Sequence, residues 1–260
     1  DDLRGPIEVW TELLDNAKEE ICIGQFYIAS VPGAPFEKVI ESLAAAGKRG
    51  VKIRFLVDKK GVNGLSDKAT VERLRAIPNL LLIRPADANE TAVAWRVAME
   101  TNDRPVVFAL TRQKVPTLDR ERCAPADGLR RGGYVLLDAA DGKPELILIA
   151  SGSEVGLIVA VAERLQAEGV AVRCVSMPSW ALFEACSQRE RDEVLPPSVG
   201  ARLAVELGVP QGWERYVGDH GRVIGMKAFG ASAPLKELQR KFGFEPDKVV
   251  AAALEMLGRK

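Results

Sequence analysis

Leu146-Ile147-Leu148-Ile149-Ala150-Ser151-Gly152-Ser153-Glu154 is the stretch on which the fold turns. Its apolar opening, Leu146–Ala150, reads as a buried strand, and Ser-Gly-Ser leads from it into a helix over Glu154–Gln166. Gly169 ends that helix, and Val170–Val175 is the next strand. A strand, a helix of ten to fifteen residues and a second strand make a crossover unit, which places the two strands parallel in one sheet. Leu203-Ala204-Val205 supplies a further strand, and helices are expected at Pro234–Phe242 and Pro246–Leu257.

Toward the N-terminus the same alternation recurs. A helical stretch near Ile7–Lys18 precedes an apolar run, Ile21–Ala29. Phe36–Lys48 carries Phe36, Val39, Ile40 and Leu43 at helical spacing, Gly50 ends it, and Val51–Val57 reads as a strand. Lys59–Asp67 is a loop. A short helix over Asp67–Ala76 stops ahead of Pro78, because a residue before proline is pushed out of the helical region. Leu80–Ile83 is a buried strand closed by Arg84-Pro85, Asn89–Met99 a helix, and Val106–Leu110 a strand. The four strands form one sheet if their crossovers are right-handed. Lys114–Gly133 is polar and rich in Arg, Pro and Gly, and reads as a linker. The expected fold class is therefore α/β, with two tandem three-layer α/β units and mainly parallel sheets. Their bounds are 1–113, a linker 114–132, and 133–260, the last unit expected to be the more stable.

Composition excludes several function classes. The chain has 260 residues, 47% of them hydrophobic, so a sizeable core is available. Lys plus Arg equals Asp plus Glu, 36 of each, which leaves no electrostatic footprint for nucleic acid or an anionic membrane. No apolar run approaches the roughly 18–20 residues that span a bilayer. The N-terminus shows no signal peptide and no initiator Met, so a cytoplasmic, processed or partial product is the expectation. Cys22, Cys123, Cys174 and Cys186 form no CxxC pair and are expected as free thiols, mostly buried. A single histidine, His220, rules out His-pair mechanisms and zinc sites built on two or more His.

From about Ala76 onward the wording becomes specific. The runs are Arg75-Ala76-Ile77-Pro78-Asn79-Leu80, Ile83-Arg84-Pro85-Ala86-Asp87-Ala88-Asn89-Glu90 and Leu110-Thr111-Arg112-Gln113-Lys114-Val115-Pro116. Arg131-Gly132-Gly133-Tyr134-Val135-Leu136, Ser151-Gly152-Ser153-Glu154-Val155 and Val175-Ser176-Met177-Pro178-Ser179 follow. Gly212-Trp213-Glu214-Arg215-Tyr216-Val217-Gly218 and Phe229-Gly230-Ala231-Ser232-Ala233-Pro234 complete the order. This sequence resembles the C-terminal part of transketolases: 133–260 their C-terminal domain, and 76–113 a remnant of their middle domain. The resemblance implies thiamine diphosphate and a divalent metal, magnesium, moving two-carbon ketol units between sugar phosphates in the pentose phosphate pathway. It also implies a cofactor held between two subunits, hence a homodimer.

The resemblance implies equally that the diphosphate-binding domain and the first part of the middle domain, with its activating glutamate, are missing. The substrate-channel motif Gly-Glu-Asp-Gly-Pro-Thr-His is replaced by Asn63-Gly64-Leu65-Ser66-Asp67-Lys68-Ala69-Thr70. The expectation is that this chain alone neither binds the cofactor nor turns over, with no catalytic, cofactor or metal residue of its own. One substrate contact is carried over: Arg112, matching the arginine that grips a substrate phosphate. A guanidinium suits that task through paired hydrogen bonds, and an Arg just past a parallel strand lies at the sheet edge where ligands bind. Without the resemblance, a solvated surface charge is the favoured reading. The alternative function is a non-catalytic interaction or dimerisation module.

Residues 1–70 differ. Leu14–Ile21, Ile23–Ile28 and especially Gly47-Lys48-Arg49-Gly50-Val51-Lys52-Ile53-Arg54-Phe55-Leu56-Val57-Asp58 resemble the start of phospholipase D-like proteins. That family needs paired His-x-Lys motifs, which this chain lacks, so a phosphodiesterase is the least favoured function. A chimera joined near Glu72–Asn79 is the expectation. Among smaller signals, Ser151 with Glu154 reads as a capping box rather than an anion site. His220 reads as a surface turn residue, Trp213 and Tyr216 as packing partners on one helix face, and Cys174 as a buried hydrophobe.

Overall fold

The computed structural model describes residues 11–12, 14–18, 20–25, 36–58, 70–111, 114–228, 231 and 233–259. The first unit runs β1 (Glu20–Gln25), α1 (Phe36–Lys48), β2 (Lys52–Asp58), α2 (Thr70–Arg75), β3 (Leu81–Ile83), α3 (Ala88–Glu100) and β4 (Val106–Leu110). Its sheet has the order β1-β2-β4-β3, every pair parallel, with Ile21 opposite Ile53, and Arg54 and Leu81 both opposite Val106. Period-two alternation sorts its buried side chains. Leu81, Ile83, Val106 and Phe108 join Val93, Ala94 and Val97 of α3 on one face, while Leu82 and Val107 meet Leu74 of α2 on the other. On α1, Val39 and Leu43 pack with Leu14 and Val51, as their helical spacing requires. The expected strand continuation 26–29, the loop 59–67 and the start of the 67–76 helix lie outside the described residues.

The second unit runs β5 (Tyr134–Leu137), β6 (Leu146–Ala150), α4 (Glu154–Ala167), β7 (Val172–Ser176), α5 (Trp180–Ala185), α6 (Gln188–Val194), β8 (Arg202–Glu206), α7 (Glu214–Val217), β9 (Arg222–Gly225), α8 (Leu235–Phe242) and α9 (Pro246–Met256). The sheet order is β5-β7-β6-β8-β9, parallel except that β5 runs antiparallel to β7. β6 is the centre, and all five of its residues are fully buried. Leu146, Leu148 and Ala150 face Ile158, Val161 and Leu165 of α4 and Val249 and Ala253 of α9. Ile147 and Ile149 face Trp180, Phe183, Trp213 and Tyr216. Helices thus cover both faces of a mainly parallel sheet, the three-layer arrangement that the apolar run Leu146–Ala150 predicts. Burial of each large side chain here contributes about 1.5–3 kcal/mol.

The stretch 114–132 is more than a tether. Leu118 and Cys123 are buried in the core of the second unit, and Ala126 and Leu129, on a 3-10 turn at Ala126–Arg131, in that of the first. Its polar composition hid four spaced apolar residues that join the two cores. Gly132 closes the turn with φ 74°, and a Cβ there would lie 2.3 Å from both Ser179 O and Phe183 N, so only glycine fits. No helix among the described residues is long and apolar enough to cross a membrane.

Candidate functional site

The segment Arg84–Glu90, between β3 and α3, reaches from the first unit into the second with three side chains. Asp87 caps α3 by accepting from Glu90 N at 2.8 Å, and its carboxylate also accepts from Leu118 N at 3.0 Å and from Arg120 at 2.9 and 3.0 Å. Glu90 is fully buried. It accepts from Ala86 N at 2.8 Å, Ser176 Oγ at 2.7 Å and Tyr134 Oη at 2.8 Å. Burial pushes its pKa up, against those three hydrogen bonds, which favour the ionised form.

Arg84 is the centre of a second network. Its guanidinium pairs with Glu154 and with Glu206, and donates to Ser151 O at 3.0 Å and Ser151 Oγ at 2.8 Å. Ser151 Oγ in turn donates to Glu206 at 2.9 Å. All three charged side chains are only 2% exposed. Burial alone would lower the Arg84 pKa, but Glu154 and Glu206 outweigh it and hold the cation. The main chain locks the same joint, with Arg84 N donating to Pro178 O at 2.8 Å and Gly152 N to Arg84 O at 3.0 Å. Gly152 has φ 58°, and a Cβ on it would lie 2.8 Å from Arg84 Nε. The glycine is there to admit the arginine.

This corrects the capping-box reading of Ser151 and Glu154. The helix begins at Glu154 with Ser153 as N-cap, which makes no side-chain cap bond. Ser151 and Glu154 are instead committed to Arg84, a partner 67 and 70 residues away that local spacing does not reveal.

Next to Arg84, Arg75 of α2 is 3.4 Å from both Glu72 and Glu206, and its guanidinium stacks 4.0 Å above the Trp180 ring. Trp180 meets Trp213 and Tyr216 edge-on at 5.2 Å each. Glu72 is buried, and its pKa is pushed up to about 7, by burial first and by Glu206 second, against the pull of Arg75. Beside it lies a cavity of about 310 Å3, between α2, α5 and the turn ahead of α7. Glu154 and Glu206 are locked in ion pairs, whereas Glu72 has one carboxylate oxygen without a hydrogen-bond partner.

The remaining sequence candidates fall as follows. Arg112 lies outside the described residues, although β4, the strand ahead of it, is where the apolar run places it. His220 is exposed in a turn. Trp213 and Tyr216 are buried with ring centroids 5.9 Å apart. Cys123, Cys174 and Cys186 are free thiols, the first two buried, while the Cys22 side chain is outside the described residues. Among the described residues no group of three or more His, Cys, Asp or Glu could hold a metal ion. The donor set for a cofactor-bridging cation is thus not met among the described residues.

A four-stranded parallel unit followed by a five-stranded unit with one antiparallel edge, clamped through buried arginine–carboxylate pairs, is a two-domain α/β arrangement. Residues 132–245 match the family described as "Transketolase-like TK C-terminal domain", and residues 61–117 match "Transketolase, pyrimidine binding domain". The chain therefore resembles the transketolases across both units. The second match begins at 61, ahead of the boundary near 76 that the sequence wording suggests. The transketolase of Geobacillus stearothermophilus is 52% identical over 186 residues, which are 72% of this chain and 28% of that protein. Transketolase from Leishmania mexicana superposes with a TM-score of 0.77 at 35% identity, over 85% of this chain and 32% of its own. A structure described as "Split gene transketolase, inactive beta4 tetramer" matches in fold, with a TM-score of 0.63 at 18% identity, over 98% of this chain and 97% of that one. This chain spans 28% of the length of the Geobacillus relative.

Proposed function

We propose that this chain is the pyrimidine-binding and C-terminal portion of a transketolase-type enzyme and is inactive by itself. Its share in thiamine diphosphate-dependent ketol transfer then depends on a complementary chain that holds the diphosphate and metal. The observation carrying this reading is that both transketolase-type matches, 61–117 and 132–245, occur in order on one chain. Arg112 would grip the phosphate of a sugar phosphate, since a guanidinium binds such an oxyanion through paired donors. A complementary chain is in keeping with the split-gene structure, whose own description is an inactive β4 tetramer. Titration calorimetry of the chain with thiamine diphosphate and magnesium tests the reading. No heat of binding at millimolar cofactor is expected, and the chain's role then lies in contacts with other protein, as an interaction or dimerisation module. A defined stoichiometry for the chain alone would overturn its proposed inactivity.

A second proposal concerns the first sixty residues, which lie ahead of both family matches. Their wording around Gly47–Asp58 supports a start of phospholipase D-like origin, fused in the region 60–90. A phosphodiesterase activity has no support, because the single histidine is His220, distant in sequence. Long-read sequencing of the gene across the codons for 60–90 tests the fusion. Unbroken reads in independent isolates make it natural, and a break there makes it an assembly error.

A further inference from the structure

We propose that the outward side of α3 is the surface on which two copies of this chain associate, the two helices packing antiparallel. This names the contact behind the dimerisation role stated above and rests on that reading. Both sides of α3 carry apolar side chains. Glu90, Val93, Ala94, Val97 and Ala98 are buried toward the rest of the chain. On the opposite side Ala88, Ala92, Trp95 and Met99 are all exposed, Trp95 by 42% and Met99 by 60%. Apolar side chains exposed singly need no partner. These four follow one another at intervals of four, three and four residues, the spacing of the seam by which one helix packs along another.

The stripe complements itself in one direction only. Its N-terminal half is small, Ala88 and Ala92, and its C-terminal half is large, Trp95 and Met99. A parallel pair would set Trp95 against Trp95 and Met99 against Met99, holding the small ends apart. An antiparallel pair about a two-fold axis sets Met99 of one copy on Ala88 of the other, and Trp95 on Ala92. Large side chains then fill the space that small ones leave, and one patch serves both copies. Trp95 is already held for this role, edge-on to Phe108 with ring centroids 4.8 Å apart, so little side-chain freedom is lost on association. Arg96 and Glu100, charged and exposed beside the stripe, give it a polar rim. α3 has 13 residues, about 20 Å of helix, and a contact of that length falls below the roughly 1,200 Å2 of a stable interface. The association is therefore reversible and of micromolar strength.

Sedimentation equilibrium of the full chain from about 1 to 500 μM tests the surface, with a monomer–dimer equilibrium as the expected result. Met99→Lys and Ala88→Glu are each expected to weaken the dimer at least about tenfold. Both change exposed side chains, so their melting midpoints should stay at the parent's. Mixed in equal amounts, the two variants should associate to within about threefold of the parent, because the antiparallel register brings the introduced ammonium against the introduced carboxylate. Titration with thiamine diphosphate reads the catalytic proposal without reference to this surface, so the two fail separately. A parent that stays monomeric, a dimer unchanged in either variant, or a mixture no stronger than the variants alone would overturn the proposal.

Discussion

Replacing Arg84 with methionine is expected to lower the thermal midpoint by about 10 °C. The substitution preserves much of the side-chain volume and removes the cation that Glu154 and Glu206 share. Glu154 and Glu206, each 2% exposed, then lose the cation they share, and Arg75, 3.4 Å from Glu206, is the guanidinium left beside them. Removing one partner of a buried pair costs about 3–5 kcal/mol, because the remaining charge cannot regain its hydration. For chains of this size each kcal/mol corresponds to roughly 2–4 °C. The pair itself need not be a large net source of stability, since desolvation of three charged groups opposes their attraction. That distinction gives the control: Arg84→Met with Glu154→Gln and Glu206→Gln should recover most of the loss. Arg164→Met, which breaks an exposed pair with Asp247, should shift the midpoint hardly at all. Calorimetric melts of the four proteins decide it. If Arg84→Met melts within about 2 °C of the parent, the ion cluster is not what joins the units. Because Arg84 bridges them, its loss should also tend to split one melting transition into two.

The sheets were readable because their central strands are short apolar runs buried on both faces. Leu146–Ala150, Leu80–Ile83 and Val106–Leu110 announce themselves without help from any other part of the chain. The missed elements are those whose signal is weak or borrowed. β5 is four residues long and half-exposed on alternate positions, and it runs antiparallel at an edge, where continuous hydrophobicity is not required. α6 is almost wholly polar, Gln188-Arg189-Glu190-Arg191-Asp192-Glu193-Val194, yet is pinned by a capping box in which Ser187 Oγ and Glu190 exchange hydrogen bonds. The capping box that spacing suggested lay at Ser151 and Glu154, and the one that forms lies at Ser187 and Glu190. Both have the same pattern, and burial separates them: at the first, Arg84 outcompetes the backbone for the carboxylate. Motif wording identified Arg84–Glu90 as important, but its work as a joint depends on partners 31 to 122 residues away. Pairing at that distance leaves no periodicity in a single sequence.

Glu72 supplies the second large expectation, a stability that falls as the solution is made more basic. Folding raises its pKa from the ordinary 4.5 to about 7, by burial and by the neighbouring Glu206. Between those values the folded protein holds a proton that the unfolded chain has released. The resulting stabilisation is complete below about 4.5 and is lost as pH rises through about 7. A shift of that size corresponds to roughly 3 kcal/mol between the two limits. Glu72→Gln keeps the shape and an oxygen to accept from Arg75, but cannot ionise. Its stability should therefore lack this contribution, so that the variant gains on the parent by roughly 3 kcal/mol in going from pH 4.5 to pH 8. Other groups whose pKa is raised on folding, Glu90 among them, act on both proteins and cancel in the difference. Urea unfolding of parent and variant at pH 4.5, 6 and 8 measures it. A constant difference across the three would mean that Glu72 titrates normally and that Arg75 already satisfies its charge. A difference that opens progressively between pH 4.5 and 8, about half of it by pH 6, would make this carboxyl the group through which the joint between the two units responds to pH.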